Sequence, residues 1–310
     1  MKRIVSVSIG SSIRDHKADI HFLGEDYSIE RIGTDGDVDK AIDIIKQLDG
    51  KVDAFGMGGI DLYVYGEEGK KYVLKAALPI ARAARITPMV DGSGLKNTLE
   101  RRLIKFIDLD LKITLKDRKV LLVCAMDRFG MAEGFEEYGA SVIYGDIMFA
   151  LGLPIPIYSL KVLRRVARVL MPIICNLPID MIYPTGKSQE KSSMIKYEEY
   201  YKNADIIAGD YLYIRKYMPS NLKGKIIITN TVTSEDINEM RQKGLKLLVT
   251  STPEFNGRSF GTNVIEALFV SILKKSPEEI TSKDYDDLID RLPYIHRVVS
   301  FDIEENVSIS

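Results

Sequence analysis

The chain has 310 residues, 45% of them apolar, which is ample for a packed core and suggests two domains or one large one. Its 43 Lys and Arg residues are balanced by 44 Asp and Glu residues, so the chain lacks the basic excess that a nucleic acid or an anionic membrane would attract. We therefore expect a small-molecule partner, no nucleic-acid partner and no membrane partner. A homodimer remains open.

Targeting and metal-binding patterns point to an ordinary intracellular protein. The start "MKRIVSVSIG" is too short an apolar run for a signal sequence, and no run approaches the roughly 18 residues that span a bilayer. We therefore expect a cytoplasmic protein. Cys124 and Cys175 lie inside apolar runs, which is typical of buried reduced thiols. The three histidines and these two cysteines show no ligand spacing, so no metal site is predicted.

The first part of the chain predicts a small α/β substrate domain over residues 1–94. Short strands are broken by a hairpin turn at residues 24–26, and the segment "DVDKAIDIIKQLDG" has a helical pattern. A bridging helix over residues 95–112 follows. It places Leu95, Leu99 and Leu103 at i+4 spacing, which is one stripe of an amphipathic helix.

Apolar segments and helical segments alternate from residue 119 onward. Six segments are short, β-branched and continuously apolar, as in strands buried on both faces of a parallel sheet: "KVLLVCA" (119–125), "SVIYG" (141–145), "PIICNL" (172–177), "ADIIAG" (204–209), "KIIIT" (225–229) and "LKLLVTS" (245–251). The predicted fold class is therefore α/β, with a six-stranded doubly wound parallel sheet (Rossmann-like) over residues 113–275. Residues 276–310 are expected to form a C-terminal helix and tail that pack back on the N-terminal domain.

The turn after the first of these strands can be laid on the fingerprint of a dinucleotide-binding βαβ unit. In that fingerprint three glycines give a tight turn, a close approach to the pyrophosphate, and close helix packing. "AMDRFG" puts Ala125, Asp127 and Gly130 at the three positions, so only the third glycine is kept. Arg128 turned inward would offset the repulsion between Asp127 and a phosphate, and Phe129 completes the candidate cofactor loop.

An acidic residue after the second strand supports the same interpretation. Asp146 stands about 20 residues beyond the turn, where an acid accepts a hydrogen bond from a ribose hydroxyl. A carboxylate there disfavours a 2′-phosphate, so NAD is the predicted cofactor and NADP is less favoured. The alternative is an inherited fold with an adapted or empty cleft.

A second candidate loop, "TSTPEFNGRSFGTN" (250–263), leaves the last predicted strand and starts a long helix. Gly261 and Arg258 would offer free backbone N–H groups and a positive charge at the carboxyl edge of the sheet. This pattern predicts a carboxylate or phosphate site, with an ordinary glycine-rich helix cap as the alternative.

The run "MVDGSGLKNTLERRLIKFIDLDLKITLKDRKVLLVCAMDRFGMAEGFEEYGASV" (89–142) resembles the passage between domains in the shikimate and quinate dehydrogenase family. More closely, the whole chain resembles bacterial proteins labelled quinate 5-dehydrogenase. The resemblance implies that Asp91 hydrogen-bonds a ring hydroxyl of the substrate. It also implies a lysine as acid/base, for which Lys75 and Lys96 are the available residues. The implied chemistry is hydride transfer between a ring carbon and the nicotinamide.

Three functions follow from these patterns. The leading prediction is an NAD-dependent oxidoreductase acting on a small polyhydroxylated, quinate- or shikimate-like acid in an interdomain cleft; whether the chain is an enzyme stays open. The second is a Rossmann-fold methyltransferase, because adenosylmethionine lacks the pyrophosphate that Asp127 would repel. The third is a non-catalytic ligand-binding or regulatory protein with a degenerate cofactor site.

Overall fold

The computed structural model describes residues 1–66, 70–178, 197–252, 254–255, 258–292 and 296–301, with the backbone alone at 254–255 and 258–259. Its elements form two main sheets with helices packed against them, so the predicted mixed α/β class is confirmed. Within the described ranges, no helix combines the length and the apolar character needed to cross a membrane.

The first sheet is built around the buried strand β1 (Lys2–Ser8). A hairpin of β2 (His16–Phe22) and β3 (Glu25–Gly33) lies on one side of it, helix α1 (Val38–Leu48) follows, and β4 (Ala54–Gly58) lies on the other side. β1 is parallel to both β3 and β4, and β2 is antiparallel to β3. The carboxyl ends of three parallel strands therefore meet at one edge.

The chain then forms a short antiparallel hairpin of β5 (Tyr63–Tyr65) and β6 (Lys71–Val73), followed by α2 (Leu78–Ala81). Strand β7 (Met89–Val90) joins the first sheet beside β4. Helix α3 (Ser93–Leu109) leads to the second domain. As the i+4 spacing predicts, Leu95, Leu99, Leu103 and Ile107 on α3 are fully buried.

The second domain starts with β8 (Lys119–Leu122), α4 (Phe129–Glu137), β9 (Ser141–Tyr144), α5 (Asp146–Phe149) and α6 (Leu160–Ile174). Its next elements are α7 (Glu198–Asn203), β10 (Ile206–Ala208), α8 (Tyr211–Tyr217), β11 (Ile226–Thr229), α9 (Ser234–Gln242) and β12 (Leu247–Thr250). Thr233 and Asp236 form a reciprocal capping box at the start of α9.

After β12 the chain returns to the first domain. A hairpin of β13 (Glu254–Phe255) and β14 (Arg258–Ser259) precedes α10 (Thr262–Leu273), which packs on β1 and β4 of the first sheet. The sequence prediction placed residues 262–273 in the Rossmann-like domain (113–275), whereas this helix packs on the first sheet. Helix α11 (Ser282–Ile289) packs on α3 and α10. The chain then returns to the second sheet, where β15 (Arg297–Ser300) pairs with β12.

The strand order of the second sheet is β9-β8-β10-β11-β12-β15. The first five strands are parallel, and β15 is antiparallel to β12. Alternate residues of the central strands point to opposite faces: Val120 and Ile206 share a core with α4 and α6, whereas Leu121 and Ile207 share one with α7, α8 and α9. Both faces are thus covered, as the continuously apolar strands predicted.

One of the six predicted strands is wrong. "PIICNL" (172–177) begins inside α6, where Cys175 N still bonds to the carbonyl of Met171. Leu163, Ala167, Met171 and Cys175 form a single buried stripe at i+4 spacing. A short apolar run fits a strand or the end of a helix equally well. The sixth strand is instead β15, in the segment predicted as helix and tail.

Candidate functional site

A cleft of about 400 Å³ lies between the two domains, where the carboxyl ends of both sheets face each other. β8 lies between β9 and β10 in the sheet. The connection after β8 runs to β9 on one side, and the chain later returns to β10 on the other side, so a crevice opens at the carboxyl end of β8. Loops after six parallel strands (β1, β4, β7, β8, β10 and β11) and the first turns of α3 and α10 line the cleft. Representative lining residues are Ser8, Gly59, Cys124, Asp210, Asn230 and Asn263.

Lys96 joins the two domains at the base of the cleft. Its Nζ lies 2.9 Å from Asp61 Oδ2, in the loop after β4, and 2.9 Å from Asp127 Oδ1, in the loop after β8. Burial, together with the nearby Asp127, raises the pKa of Asp61 well above its ordinary value. Despite burial, the charges of Lys96 and Arg128 hold the pKa of Asp127 below its ordinary value. One cation thus lies between two carboxyl groups whose pKa values are shifted in opposite directions.

Arg128 forms a second charged cluster beside the first. Its guanidinium bonds to the buried carboxyl of Glu100 on α3 and lies 3.3 Å from Asp210 Oδ2, in the loop after β10. Burial raises the pKa of Glu100, and the charge of Arg128 opposes that rise. Arg128 turns inward, but it meets carboxylates of the protein rather than an open phosphate cradle.

Asp146 does not reach the cleft. It is 4% exposed, and its Oδ1 accepts hydrogen bonds from the backbone N of Ala125 at 2.9 Å and of Met126 at 2.7 Å. Burial raises its pKa to about 6, against the effect of these bonds. The predicted role as acceptor for a ribose hydroxyl is therefore corrected: Asp146 lies behind the loop and holds its backbone.

The other members of the predicted cofactor loop are also packing residues. Ala125 and Phe129 are buried in the core. A Cβ added to Gly130 would lie 2.5 Å from Asn97 Oδ1 and 2.6 Å from its carbonyl oxygen, so this glycine lets α4 approach α3. Close packing was the role predicted for the third glycine, but the partner is a helix.

The residues predicted to be catalytic separate into two locations. Asp91 lines the cleft, but its Oδ2 accepts from Leu62 N at 2.6 Å and Tyr63 N at 2.8 Å, and its Oδ1 from Ser93 Oγ at 2.7 Å. Lys96 lies in the same cleft. Lys75 does not line it; its side chain is exposed, and its backbone N bonds to the carbonyl of Cys175.

The second predicted loop is described only in part. Gly261 lines the cleft immediately before α10, and Asn263 Nδ2 donates to Ser6 Oγ at 2.7 Å. The start of α10 packs against the loop before α3, because a Cβ on Gly92 would lie 2.6 Å from Asn263 N. The side chain of Arg258 lies outside the described residues.

The buried side chain of Glu266 holds the start of α3 against α10 and α11. Glu266 on α10 accepts from Gly92 N at 2.7 Å and from the hydroxyl of Tyr285 on α11. Burial and the neighbouring Asp91 raise its pKa from the ordinary 4.5 to about 7. Nothing in the sequence around Glu266 pointed to this role, since its partners are 174 and 19 residues away.

Several cleft residues were missed from the sequence. Asn230 Nδ2 donates to Asp210 Oδ2 at 2.7 Å, and both residues directly follow parallel strands, a position that could have identified them. Arg31 comes from inside β3 and donates to Asp15 Oδ1 at 2.5 Å and Ser8 Oγ at 2.9 Å, a contact that no motif predicts. Cys124, predicted to be buried, is partly exposed in the cleft.

Two family matches divide the chain at the junction before α3. Residues 94–301 match the family described as "Domain of unknown function (DUF8754)". The chain belongs to this family. Residues 3–91 match a second family, "Domain of unknown function (DUF8753)". No curated protein matches the sequence.

Solved structures with similarity to the chain include both binding proteins and enzymes. An ABC transporter solute-binding protein from Agrobacterium vitis, bound with alpha-D-tagatopyranose, is 9% identical with a TM-score of 0.40, covering 91% of this chain and 92% of that one. GanP, a glucose-galactose binding protein from Geobacillus stearothermophilus, is 10% identical with a TM-score of 0.39, covering 97% of each. L-tryptophan dehydrogenase from Nostoc punctiforme is 10% identical with a TM-score of 0.38, covering 94% and 80%.

The geometry of the site corrects the predicted NAD-dependent oxidoreductase acting on a quinate-like acid. The acid expected at the ribose is buried behind its loop, and Asp127 and Arg128 are ion-paired within the protein. Sugar-binding proteins are among the similar solved structures.

Proposed function

We propose that the chain binds a small, uncharged, polyhydroxylated molecule in the cleft between its domains. The observation that carries this proposal is the cleft itself: about 400 Å³, within the usual range for small-molecule sites, and lined by polar groups from both domains. This is the binding-protein alternative left open by the sequence, with a chemical class added.

The charges of the cleft favour a neutral ligand. Among the described residues, four cationic and five carboxyl-bearing residues line it: Arg14, Arg31, Lys96 and Arg128 against Asp61, Asp91, Asp127, Asp210 and Glu235. Three of the cations already contact carboxylates of the protein. An anionic ligand that bound to any of these three cations would compete with its pair, whereas a neutral ligand leaves the pairs in place.

The hydrogen-bonding groups suit vicinal hydroxyls. A hydroxyl donates one hydrogen bond and accepts others, so it is satisfied where carboxylate or hydroxyl oxygens and amide or guanidinium N–H groups lie side by side. Asp210 with Asn230 in the second domain, and Ser8 with Arg31 in the first, provide such pairs on facing walls of the cleft.

Thermal unfolding with a ligand panel tests the proposal. The panel contains aldoses, cyclic polyols, their carboxylated counterparts, NAD and adenosylmethionine. At 100 times its Kd, a neutral polyol should stabilise the fold by about 2.7 kcal/mol, a rise in Tm of roughly 5 °C. A rise in Tm with NAD or adenosylmethionine alone would contradict the proposal, as would an unchanged Tm with every polyol.

Asp210→Asn provides the matched variant for calorimetric titration. It keeps a side-chain oxygen for the start of α8 but removes a carboxylate from the cleft, so binding of the identified polyol should weaken at least about tenfold. Asp205→Asn is the control, because Asp205 accepts from Lys119 N at the opposite end of β10. Equal losses in both variants would remove Asp210 from the site.

A further inference from the structure

The segment between α5 and α6 exposes large apolar side chains. Leu151, Leu153, Ile155 and Tyr158 each expose 48% to 68% of their surface. Pro154 and Pro156 interrupt the same stretch, so the chain cannot bury these side chains by continuing either flanking helix. Single exposed apolar residues are ordinary, but four within eight residues mark a surface that contacts something apolar.

Helix α6 continues this apolar surface along one face. Val162, Val169 and Ile173 expose 44%, 66% and 58% of their surface. At 100° per residue these three positions fall within about 40° of one another, on the side opposite the buried stripe of Leu163 and Ala167. The helix therefore has one apolar stripe in the core and another facing outward.

The charged side chains that this stretch of sequence contributes are all basic. Residues 147–178 contain four basic residues (Lys161, Arg164, Arg165 and Arg168) and no Asp or Glu, in a chain whose 43 basic residues balance 44 acidic ones. Arg164 bonds to Glu133 on α4, whereas Lys161 and Arg165 are exposed beside Val162. We call this exposed loop and outer helix side the apolar–basic face.

We propose that the apolar–basic face docks on an anionic lipid surface. Apolar loop side chains enter the headgroup boundary, and adjacent Lys and Arg side chains attract anionic headgroups, each contribution weak alone and effective together. Tyr158 has the amphipathic ring that such boundaries favour. Nucleic acid would use the cations but leave the apolar loop in water. A second copy across a two-fold axis would place like charges against each other.

This proposal revises the absence of a membrane partner expected from composition. The balance of 43 against 44 charges describes the whole chain, while attraction to a surface depends on charges within about one Debye length, roughly 10 Å at 0.1 M salt. The proposal is independent of the ligand in the cleft, since none of these residues lines the cleft.

Vesicle co-sedimentation of the full chain tests it. Vesicles of equal parts phosphatidylcholine and phosphatidylglycerol should pellet the protein, vesicles of phosphatidylcholine alone should not, and raising the salt should release it. Lys161→Glu with Arg165→Glu should weaken binding at least about tenfold, and Ile155→Asp should weaken it as well. Circular dichroism confirms that each variant is folded.

Two controls carry the same chemical changes elsewhere. Lys40→Glu with Lys46→Glu reverses two exposed charges on α1, and Ile86→Asp alters an apolar residue that is 78% exposed. Both controls should bind vesicles like the wild type. Absence of binding to the anionic vesicles, equal losses in the controls, or a dimer in light scattering that Ile155→Asp dissociates without any vesicle binding would each overturn the proposal.

Discussion

Asp146 and Glu266 are two buried carboxyl groups with the same task in different halves of the molecule. Each accepts hydrogen bonds from the backbone of a loop that borders the cleft: Asp146 from residues 125 and 126, Glu266 from Gly92. Burial raises both pKa values, to about 6 and about 7. Both groups therefore shape the site without touching it.

The two carboxyls differ in what they connect. Asp146 holds a loop of its own sheet, and one of its oxygens, Oδ2, has no hydrogen-bond partner. Glu266 uses both oxygens and links α10 to the start of α3 and, through Tyr285, to α11. An acidic residue that follows a strand can therefore anchor a loop instead of contacting a ligand, as Asp146 does. Its spacing does not distinguish the two roles.

Replacing each carboxyl by alanine separates the two anchors most strongly. Glu266→Ala leaves the donors of Gly92 and Tyr285 unpaired in a buried site, so we expect a loss of about 4 kcal/mol in the free energy of unfolding at pH 6. Asp146→Ala affects a single domain and should cost about 2 kcal/mol. Urea unfolding measures both, with the exposed Glu278→Ala as a control near zero. Equal losses at 146 and 266 would erase the distinction.

The pH dependence of stability sharpens the comparison. The folded chain holds the Glu266 proton more tightly than the unfolded chain does. The contribution of Glu266 to the free energy of unfolding is therefore fully present below pH 4.5 and is lost as the pH rises through about 7. The rise from 4.5 to about 7 corresponds to about 3 kcal/mol. Asp146 acts in the same direction between its ordinary 3.8 and about 6. Urea unfolding from pH 4 to 8 measures this fall.

Glutamine at position 266 isolates one contribution to that fall. Glu266→Gln resembles the protonated acid and cannot titrate, so it should flatten the profile chiefly between pH 5 and 7, whereas Asp146→Asn should flatten it at lower pH. A profile unchanged by Glu266→Gln would show that Glu266 does not titrate in this range.

The strands of the second sheet could be predicted because burial on both faces leaves a direct trace in the sequence. Five of the six continuously apolar runs are β8, β9, β10, β11 and β12. The exception at 172–177 continues a buried helix stripe, which an apolar run alone does not reveal. β15 escaped prediction because it lies at a sheet edge and alternates between partly buried and exposed positions, so it lacks a continuously apolar run.

Some residues that line the cleft could be picked out from the sequence, but their contacts could not. Asp91, Lys96, Asp127, Arg128 and Gly261 all line the cleft, because the ends of parallel strands and the interdomain junction converge there. Their roles depend on partners such as Asp61 and Glu100, which lie far away in the sequence. The return of α10 to the first sheet brings Glu266 beneath Gly92, and no local pattern encodes that crossing.

Removing one hydroxyl probes the extra link that Glu266 has and Asp146 lacks. Tyr285→Phe deletes the hydrogen bond to Glu266, with an expected cost of about 1 kcal/mol in the free energy of unfolding. The bond is stronger when the carboxyl is charged, so the loss should be larger at pH 8 than at pH 5. In a Glu266→Gln background the same substitution should cost equally at both pH values, because glutamine does not titrate. A pH-dependent cost that persists in that background would assign the effect to another group near Tyr285.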